Sequence, residues 1–479
     1  MTTSRRGRLV VHAHFYQPLR VDPFSGTVPA DPGAAPFRDW NSRIDAESYR
    51  PLATKGTLGH LSYDLGPTLA SWLAAESPMS HRGFVGADRA GNPKHGRAMA
   101  QAFHHTILPL ASAEDRRTEV RWGIRDFVLR YGRRPEGMWL PETAVDLPSL
   151  RCLAEEGIRY TILAPWQAAA DHLETRRPYR VELGGGRSII VVFYDAGLSG
   201  AVSFEPSATA DADRFARERV GARLAGTPFP DGDPGLIVIA TDGELYGHHQ
   251  QFRDLFLQRL VEPPEGTADR GFDLVDLADV LLEGDARSLP TVRIAERTSW
   301  SCHHGVARWS AECSDATDGR WKQPLRAAFE RLAGAVDALV GVAFAGLPRS
   351  PDPIAAREAY VEVVDGVEPA AAFAARWLGD DAPREDRERF LRLIEALRWR
   401  LAMFASDGWY WDDPARTETK HVLRFASRAA RLVDTELKAH LERSLVADLA
   451  LFRSPGTGLD GAAIYRMALS EVGQPGPRG

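Results

Sequence analysis

The order of apolar and polar positions divides the chain into two kinds of segment. In the first, short apolar runs alternate with amphipathic stretches. RLVVHAHF (Arg8 to Phe15) is brief and rich in β-branched residues, which predicts a buried strand that ends at Gln17-Pro18. A long loop follows, punctuated by Pro, Gly and Asp. In TEVRWGIRDFVLRYGRRP, Val120, Ile124, Phe127, Val128 and Tyr131 recur at helical spacing and Gly132 closes the pattern, so a helix is expected. A strand then leads to Glu142. LPSLRCLAEEG reads as a helix stopped by Gly157, and IRYTILAP as the next strand. RSIIVVF and GLIVIATDGE are apolar runs of the kind a parallel sheet buries on both faces, and the GGG at Gly184 to Gly186 predicts a hairpin turn between YRVEL and RSIIVVF. Repeated strand–helix–strand units over roughly 290 residues predict an α/β barrel or an open α/β sheet with polar residues at the C-terminal ends of the strands.

Beyond Ser310 the period changes. QPLRAAFERLAGAVDALV is helical, Phe390, Ile394, Leu397, Leu401 and Phe404 recur at helical spacing, and Val422, Phe425, Ala426, Ala429 and Val433 mark another helix. The expected division is an α/β region over 1–310, a helical region over 311–470 and a disordered tail over 471–479. No internal repeat is visible.

Composition narrows the function more than the fold. A formal charge of −6 gives no basic surface for a nucleic acid and does not require a charged substrate. Three cysteines (Cys152, Cys302, Cys313) cannot build a disulfide framework, and none lies in a CxxC pair, so a reducing cytoplasm fits. The opening MTTSRRGRLVVHAHF has too short an apolar run for a signal peptide or a membrane span. Twelve tryptophans, several in polar or Gly/Pro-containing segments, suit flat platforms for sugar rings as well as core packing.

Two stretches place acids at strand ends. GMWLPETAVD carries Glu142, and IVIATDGELYGHH carries Asp242 with Glu244 two residues on. Cleaving a glycosidic bond takes two carboxyl groups, one to attack the anomeric carbon or activate water and one to protonate the leaving oxygen. Glu142 and Asp242 can converge at one barrel mouth. Glu244, if the chain stays extended, shares a face with Asp242 and sets its protonation or binds a hydroxyl. The plain alternative is that each acid caps a helix. His12 and His14 form an HxH on one strand face, a spacing that serves metal ligation as well as hydroxyl binding, with His95, His104, His105, His248, His249, His303 and His304 as further donors for a metal-dependent hydrolase. RTSWSCHHGVARW (Trp300, His303, His304) reads as a site loop or a structural one. ASDGWYWDDPARTE gathers Asp407, Trp409, Tyr410 and Trp411, suiting sugar stacking or a wedged helix–helix turn. Cys302 beside His303 is a conceivable thiol nucleophile without other support.

These motifs together resemble glycoside hydrolase family 57. HAHFYQP is similar to the first motif of that family, GMWLPE to the third, TDGELYGHH to the fourth and ASDGWYW to a Ser-Asp-Trp segment of its helical region that reaches back to the active site. The run HHTILPLA…RWGIRDF…GMWLPETAVD is similar to a bacterial subgroup with an uncharacterised C-terminal domain. The resemblance implies an incomplete (β/α)7 barrel followed by a helical domain packing on the barrel mouth. It implies a retaining enzyme acting on α-glucans or maltooligosaccharides through a covalent glycosyl-enzyme, with Glu142 as nucleophile and Asp242 as general acid/base and with no cofactor or catalytic metal. Hydrolysis is the expected outcome, with 4-α-glucanotransferase or branching activity as variants.

Under that resemblance the expected substrate contacts are His12, His14, Gln17, Trp139, Glu244, His248, Trp300, His304, Asp407 and Trp409. No nucleic-acid or membrane partner is expected. Departures from the family pattern stand out as well, the atypical segment around Trp300 among them. Thr143 follows the nucleophile where branching enzymes of the family carry Cys, and HGRAMAQAFHHTILPL occupies the place of the second motif without its Glu, leaving the role to His95, to His105 or to no residue. A metal-dependent deacetylase- or mannosidase-like hydrolase and a non-catalytic glucan-binding protein are the alternatives.

Overall fold

A computed structural model describes residues 6–226, 228–230, 232–313 and 318–471. The expected disordered tail, save for residue 471, lies outside the described residues. The chain forms two compact units: one comprises residues up to 17, 31–102 and 127–300, the other 18–30, 103–126 and 301 onward.

Among the described residues the first unit has nine strands: β1 Gly7–Phe15, β2 Ser62–Leu65, β3 Ala98–Gln101, β4 Met138–Trp139, β5 Tyr160–Leu163, β6 Tyr179–Gly184, β7 Arg187–Phe193, β8 Leu236–Asp242 and β9 Phe272–Leu274. Strands β4-β3-β2-β1-β8 pair in that order, all in parallel, and β9 pairs the start of β1. A second sheet runs β5-β7-β6, with β5 and β7 parallel. Two backbone links join the sheets: a parallel bridge between Gly137 and Tyr160 beside β4 and β5, and the Asp195 N–H donating to the Val238 carbonyl (2.8 Å) between β7 and β8. Seven parallel strands therefore follow one another around a ring, joined by full ladders on one side and by single links elsewhere. This is the incomplete (β/α)7 barrel expected from the motifs. Strand β6 stands outside it as an antiparallel hairpin partner of β7, turned by Gly184, Gly185 and Gly186, all at positive φ as the sequence predicts.

Register explains the polarity of the interior. Along β1 and β8, Val10 stands opposite Val238, His12 opposite Ala240 and His14 opposite Asp242. Side chains two residues apart share a face, so one inner face passes from apolar at its start to ionisable at its C-terminal end. The apolar end packs Val10, Ile162, Ile190, Val192, Leu236 and Val238 into one cluster with Leu277 and Leu281 of the helix Leu277–Leu282. Each such fully buried aliphatic side chain contributes roughly 1.5–3 kcal/mol. The polar end is thus carried on a rigid base.

The second unit is helical, with Lys322–Ala345, Arg384–Ala402 and Thr417–Leu437 as its long members. Phe390, Ile394, Leu397 and Leu401 are buried as their spacing predicts, as are Val422, Phe425, Ala426, Ala429 and Val433. The sequence does not reveal that residues 103–126 join this unit. Asp115 is held there by Arg357 (3.1 Å) and Arg400 (2.6 Å), and the Trp122 indole donates to the carbonyls of Arg357 and Glu358 (3.1 Å each). Such partners lie more than two hundred residues away in the chain, beyond the reach of any periodicity argument. Among the described residues no helix is long and apolar enough to cross a membrane.

Beyond β8 the chain makes a tight turn that depends on Gly247. Its φ is +117°, and a Cβ there would stand 2.1 Å from the Glu47 carbonyl oxygen, a backbone atom that cannot swing aside. Gly247→Ala is expected to lower unfolding stability by about 2 kcal/mol or more, read as a drop in Tm. An unchanged Tm would show that this turn is not held as described.

Candidate active site

Three neighbouring strands set the frame. Asp64 on β2, His14 on β1 and Asp242 on β8 occupy one register row. The Asp64 carboxylate bonds to both histidines of the HxH pair, His12 through Nε2 (2.9 Å) and His14 through Nδ1 (2.8 Å). The other ring nitrogen of His12 bonds to Ser62 Oγ (3.0 Å), so both nitrogens of His12 are engaged. Trp139, the last residue of β4, lies flat beneath both imidazoles, with ring centroids 4.8 Å from His12 and 5.2 Å from His14. Gln101, at the end of β3, donates to Asp64 and to the Phe15 carbonyl (3.0 Å). Tyr16 also stacks on His14, at 6.3 Å between ring centroids.

The electrostatics follow from this geometry. Burial works against a charge on His14, but Asp64, and after it Asp242 and Glu244, outweigh burial and lift its pKa to about 9. His14 is therefore an imidazolium at neutral pH, and the face of Trp139 adds a cation–π contact. Burial alone dominates at His12, which is pushed down and stays neutral. Burial pushes Asp64 up, yet the charge of His14 and the bonds from both imidazoles hold it below the usual carboxylate range.

At the end of β8, Asp242 keeps an open face to solvent while protein crowds its other sides. That crowding raises its pKa, the charges of His14 and His249 oppose the rise, and Asp64 adds to it. Glu244 is buried and titrates at about 7, because burial and the nearby charge of Asp242 outweigh the hydrogen bond from the Tyr49 hydroxyl. The Tyr16 amide also donates to it (3.3 Å). The two acids do not share a strand face as extended spacing would have it. Gly243–Leu245 forms a single helical turn that directs Glu244 inward and leaves Asp242 at the surface. Gly243 permits this because a Cβ there would meet the Phe15 ring at 2.2 Å.

Glu142 arrives by a different route. Strand β4 ends at Trp139, and Pro141-Glu142-Thr143 makes a turn in which Glu142 (φ +57°) and Thr143 (φ +46°) both adopt left-handed backbone. For residues with a Cβ this conformation costs on the order of 1–3 kcal/mol, so it persists only where other contacts impose it. Two sets of contacts do so. Gln167 brackets Thr143, accepting from its hydroxyl (2.9 Å) and donating to its carbonyl (2.8 Å). The strip Arg297–Trp300 zips onto residues 142–145, with the Trp300 amide donating to the Glu142 carbonyl (3.1 Å). The Trp300 indole N–H then donates to Glu142 Oε2 (3.3 Å). Trp300 stands edge-on to Trp139 (5.0 Å), to His14 (6.1 Å) and to Tyr194 (6.4 Å). The Tyr194 hydroxyl is held protonated by burial and by the charge of Asp242. Glu142 and Asp242, a hundred residues apart in sequence, thus border one cluster made of Trp300, His14 and Tyr194.

His12, His14, Trp139, Glu142, Asp242, Glu244 and Trp300 come together in this way. Trp139 and His12 are wholly buried, so their place is beneath the site rather than on its surface. Gln17 is buried just past β1, its carbonyl accepting from Thr68 (2.6 Å). His248 bonds to Glu47 (2.5 Å) beside Trp40. Asp407, Trp409 and His304 belong to the helical unit. Trp409 is buried there edge-on to Phe329 (5.5 Å), Asp407 opens the short helix Asp407–Tyr410, and His304 lies beside Cys302 and Cys313. In the stretch that lacks the second-motif Glu, His95 pairs with Glu136 and His105 with Ser406, whereas Gln101 reaches Asp64. Asp64, Gln101, Tyr49 and Tyr194 were not foreseen, and His249 was expected only as a further donor to a metal. The one available signal was an acid inside the short apolar strand SYDL.

Residues 95–280 match the model of glycosyl hydrolase family 57, and residues 318–472 match a domain of unknown function (DUF3536). Among solved structures, the chain is similar to an exo-type maltose-forming amylase from Pyrococcus sp. ST04, with a TM-score of 0.70 and 14% identity over 97% of this chain and 88% of that one. It is also similar to a family 57 branching enzyme from Thermococcus kodakaraensis, with a TM-score of 0.61 and 17% identity over 92% and 94% of the two chains. A 4-α-glucanotransferase from Thermococcus litoralis aligns with a TM-score of 0.56 and 16% identity over 90% of this chain and 60% of that one. At such identities the likeness concerns the fold. No curated protein matches the chain by sequence. The stretch that matches the family 57 model, residues 95–280, carries Glu142, Asp242 and Glu244.

Proposed function

We propose that the protein is a retaining glycoside hydrolase or transglycosylase acting on α-1,4-linked glucose polymers or maltooligosaccharides. The observation that carries the reading is that Glu142 and Asp242 border the same Trp300–His14–Tyr194 cluster. The match of residues 95–280 to the family 57 model supports the glycosidase chemistry, and the α-glucan substrate is taken from the names of the similar structures.

In this reading Glu142 attacks the anomeric carbon, and Asp242, its pKa raised by its surroundings, protonates the departing glycosidic oxygen. Asp242 then takes a proton from the incoming acceptor, and water or a sugar hydroxyl decides between hydrolysis and transfer. Water is the acceptor we favour. The His14 imidazolium stabilises negative charge beside Asp242, and Trp300, half-buried and edge-on to Trp139, offers a face to a sugar ring. Thr143 is committed to Gln167, which leaves it a part in shaping the turn. Three thiols with no disulfide among the described residues suit a cytoplasmic setting.

The direct test is incubation of the pure protein with amylose and with short maltooligosaccharides, followed by product profiling. Glu142→Gln is expected to reduce turnover by about a thousandfold or more, roughly 4 kcal/mol in the barrier, with Tm unchanged. Full turnover by that variant would end the assignment. Glu244→Gln removes a group that titrates at about 7 and feels the charge of Asp242. Above neutrality it takes away a negative neighbour that favours protonated Asp242. The alkaline limb of the kcat/KM profile should then move down by about one pH unit. A limb that stays in place would show that the two acids titrate independently.

A further inference from the structure

The start of the helical unit holds a group of donors to which the mechanism proposed above gives no part. Cys302 Sγ and Cys313 Sγ lie 3.3 Å apart, and His304 Nδ1 is 3.4 Å from Cys313 Sγ and 4.0 Å from Cys302 Sγ. In sequence they read C-x-H and then, nine residues on, C, a spacing with no CxxC to announce it. The fold brings them together through a turn in which the Gly305 amide donates to the Cys302 carbonyl (3.0 Å), with Gly305 at φ +60°.

We propose that Cys302, His304 and Cys313 bind one zinc ion, with a solvent molecule as fourth ligand, and that the ion fastens the 302–313 segment to itself ahead of the helix Lys322–Ala345. Metal–ligand lengths of about 2.3 Å to sulfur and 2.0–2.1 Å to nitrogen, in a tetrahedron, require S···S near 3.8 Å and S···N near 3.6 Å. The three observed separations fall within about half an ångström of these values, so an ion can enter with small side-chain adjustments. Two sulfurs and one imidazole nitrogen select zinc over magnesium or calcium, which take oxygen ligands.

The surroundings fit as well. Both sulfurs are buried, whereas His304 is exposed, so an ion has a way in and room for a solvent ligand on the His304 side. The His304 amide donates to Cys302 Sγ (3.4 Å), a bond that orients the sulfur and disperses thiolate charge. Lys322, buried with its ammonium on the Arg308 carbonyl (2.7 Å), is near enough to interact with both sulfurs and offsets the charge of a dithiolate. A disulfide is the competing use of the same pair. It would require the sulfurs to close to about 2.05 Å and an oxidant to take the two electrons.

The test uses the full chain, purified under reducing conditions, stripped with chelator and titrated with Zn(II) against a chromophoric competitor. One ion per chain with sub-micromolar affinity is expected, together with a Tm several degrees above that of the stripped protein. Co(II) in place of Zn(II) should give a thiolate charge-transfer band that Cys302→Ser and Cys313→Ser abolish. His304→Ala changes an exposed side chain and so keeps the fold. It should weaken Zn(II) binding about tenfold or more while leaving the Tm of the stripped protein unchanged. Weak binding, with Kd above about 0.1 mM, would overturn the proposal. So would undiminished affinity in the cysteine variants, or a Cys302–Cys313 disulfide in the purified protein.

Discussion

The interior of the barrel depends on one buried carboxylate. Asp64 is wholly shielded from solvent, and a charge in that position is tolerable only because three side chains converge on it: His12, His14 and Gln101. It fixes the HxH pair in orientation, holds His14 as a cation, and ties β1 to β2 and β3 at the height of Asp242. Taking away one partner would leave an uncompensated charge in a low-dielectric interior, a cost of several kcal/mol in comparable cases. The Trp139 ring beneath both imidazoles completes the support. The histidines thus act less as independent functional groups than as members of one network.

From this network two different devices present the two acids. Asp242 ends β8, each residue of which is paired with β1, and inherits its position from that register. Glu142 sits on a two-residue left-handed turn, clamped by Gln167 on one side and the Arg297–Trp300 strip on the other. Strain of this kind is sustained by surrounding contacts and recurs where a side chain must be aimed away from the strand direction. The coupled pair Asp242 and Glu244 adds a third element, because the helical turn at Gly243 places a buried, weakly acidic Glu behind an open Asp. Like charges kept close raise one another's pKa, which is how a carboxyl group remains a proton donor near neutrality.

Much of the arrangement was legible in the chain. Apolar runs between helical patterns predicted parallel strands, and the strands lie where those runs lie. The HxH spacing predicted a shared face, and the two imidazoles do share one, because side chains alternate along any strand. Glu142 and Asp242 were visible as acids after apolar runs. The Glu244 side chain did not follow, since alternation holds only while the chain stays extended and Gly243 begins a helical turn. Gln101 was hidden because a neutral amide in AMAQAF carries no signal of its own, and its meaning comes from the carboxylate of another strand.

Local periodicity and backbone chemistry therefore determined the elements, their order and the inner faces of the strands, because those depend on residues two to four apart. Partnerships across long separations were decided by tertiary structure alone. Asp64 with the HxH pair, Trp300 with Glu142, residues 103–126 with the helical unit, and Cys302 and His304 with Cys313 are all of this kind. Such contacts arise from strand register and loop closure, and no spacing along the chain encodes them.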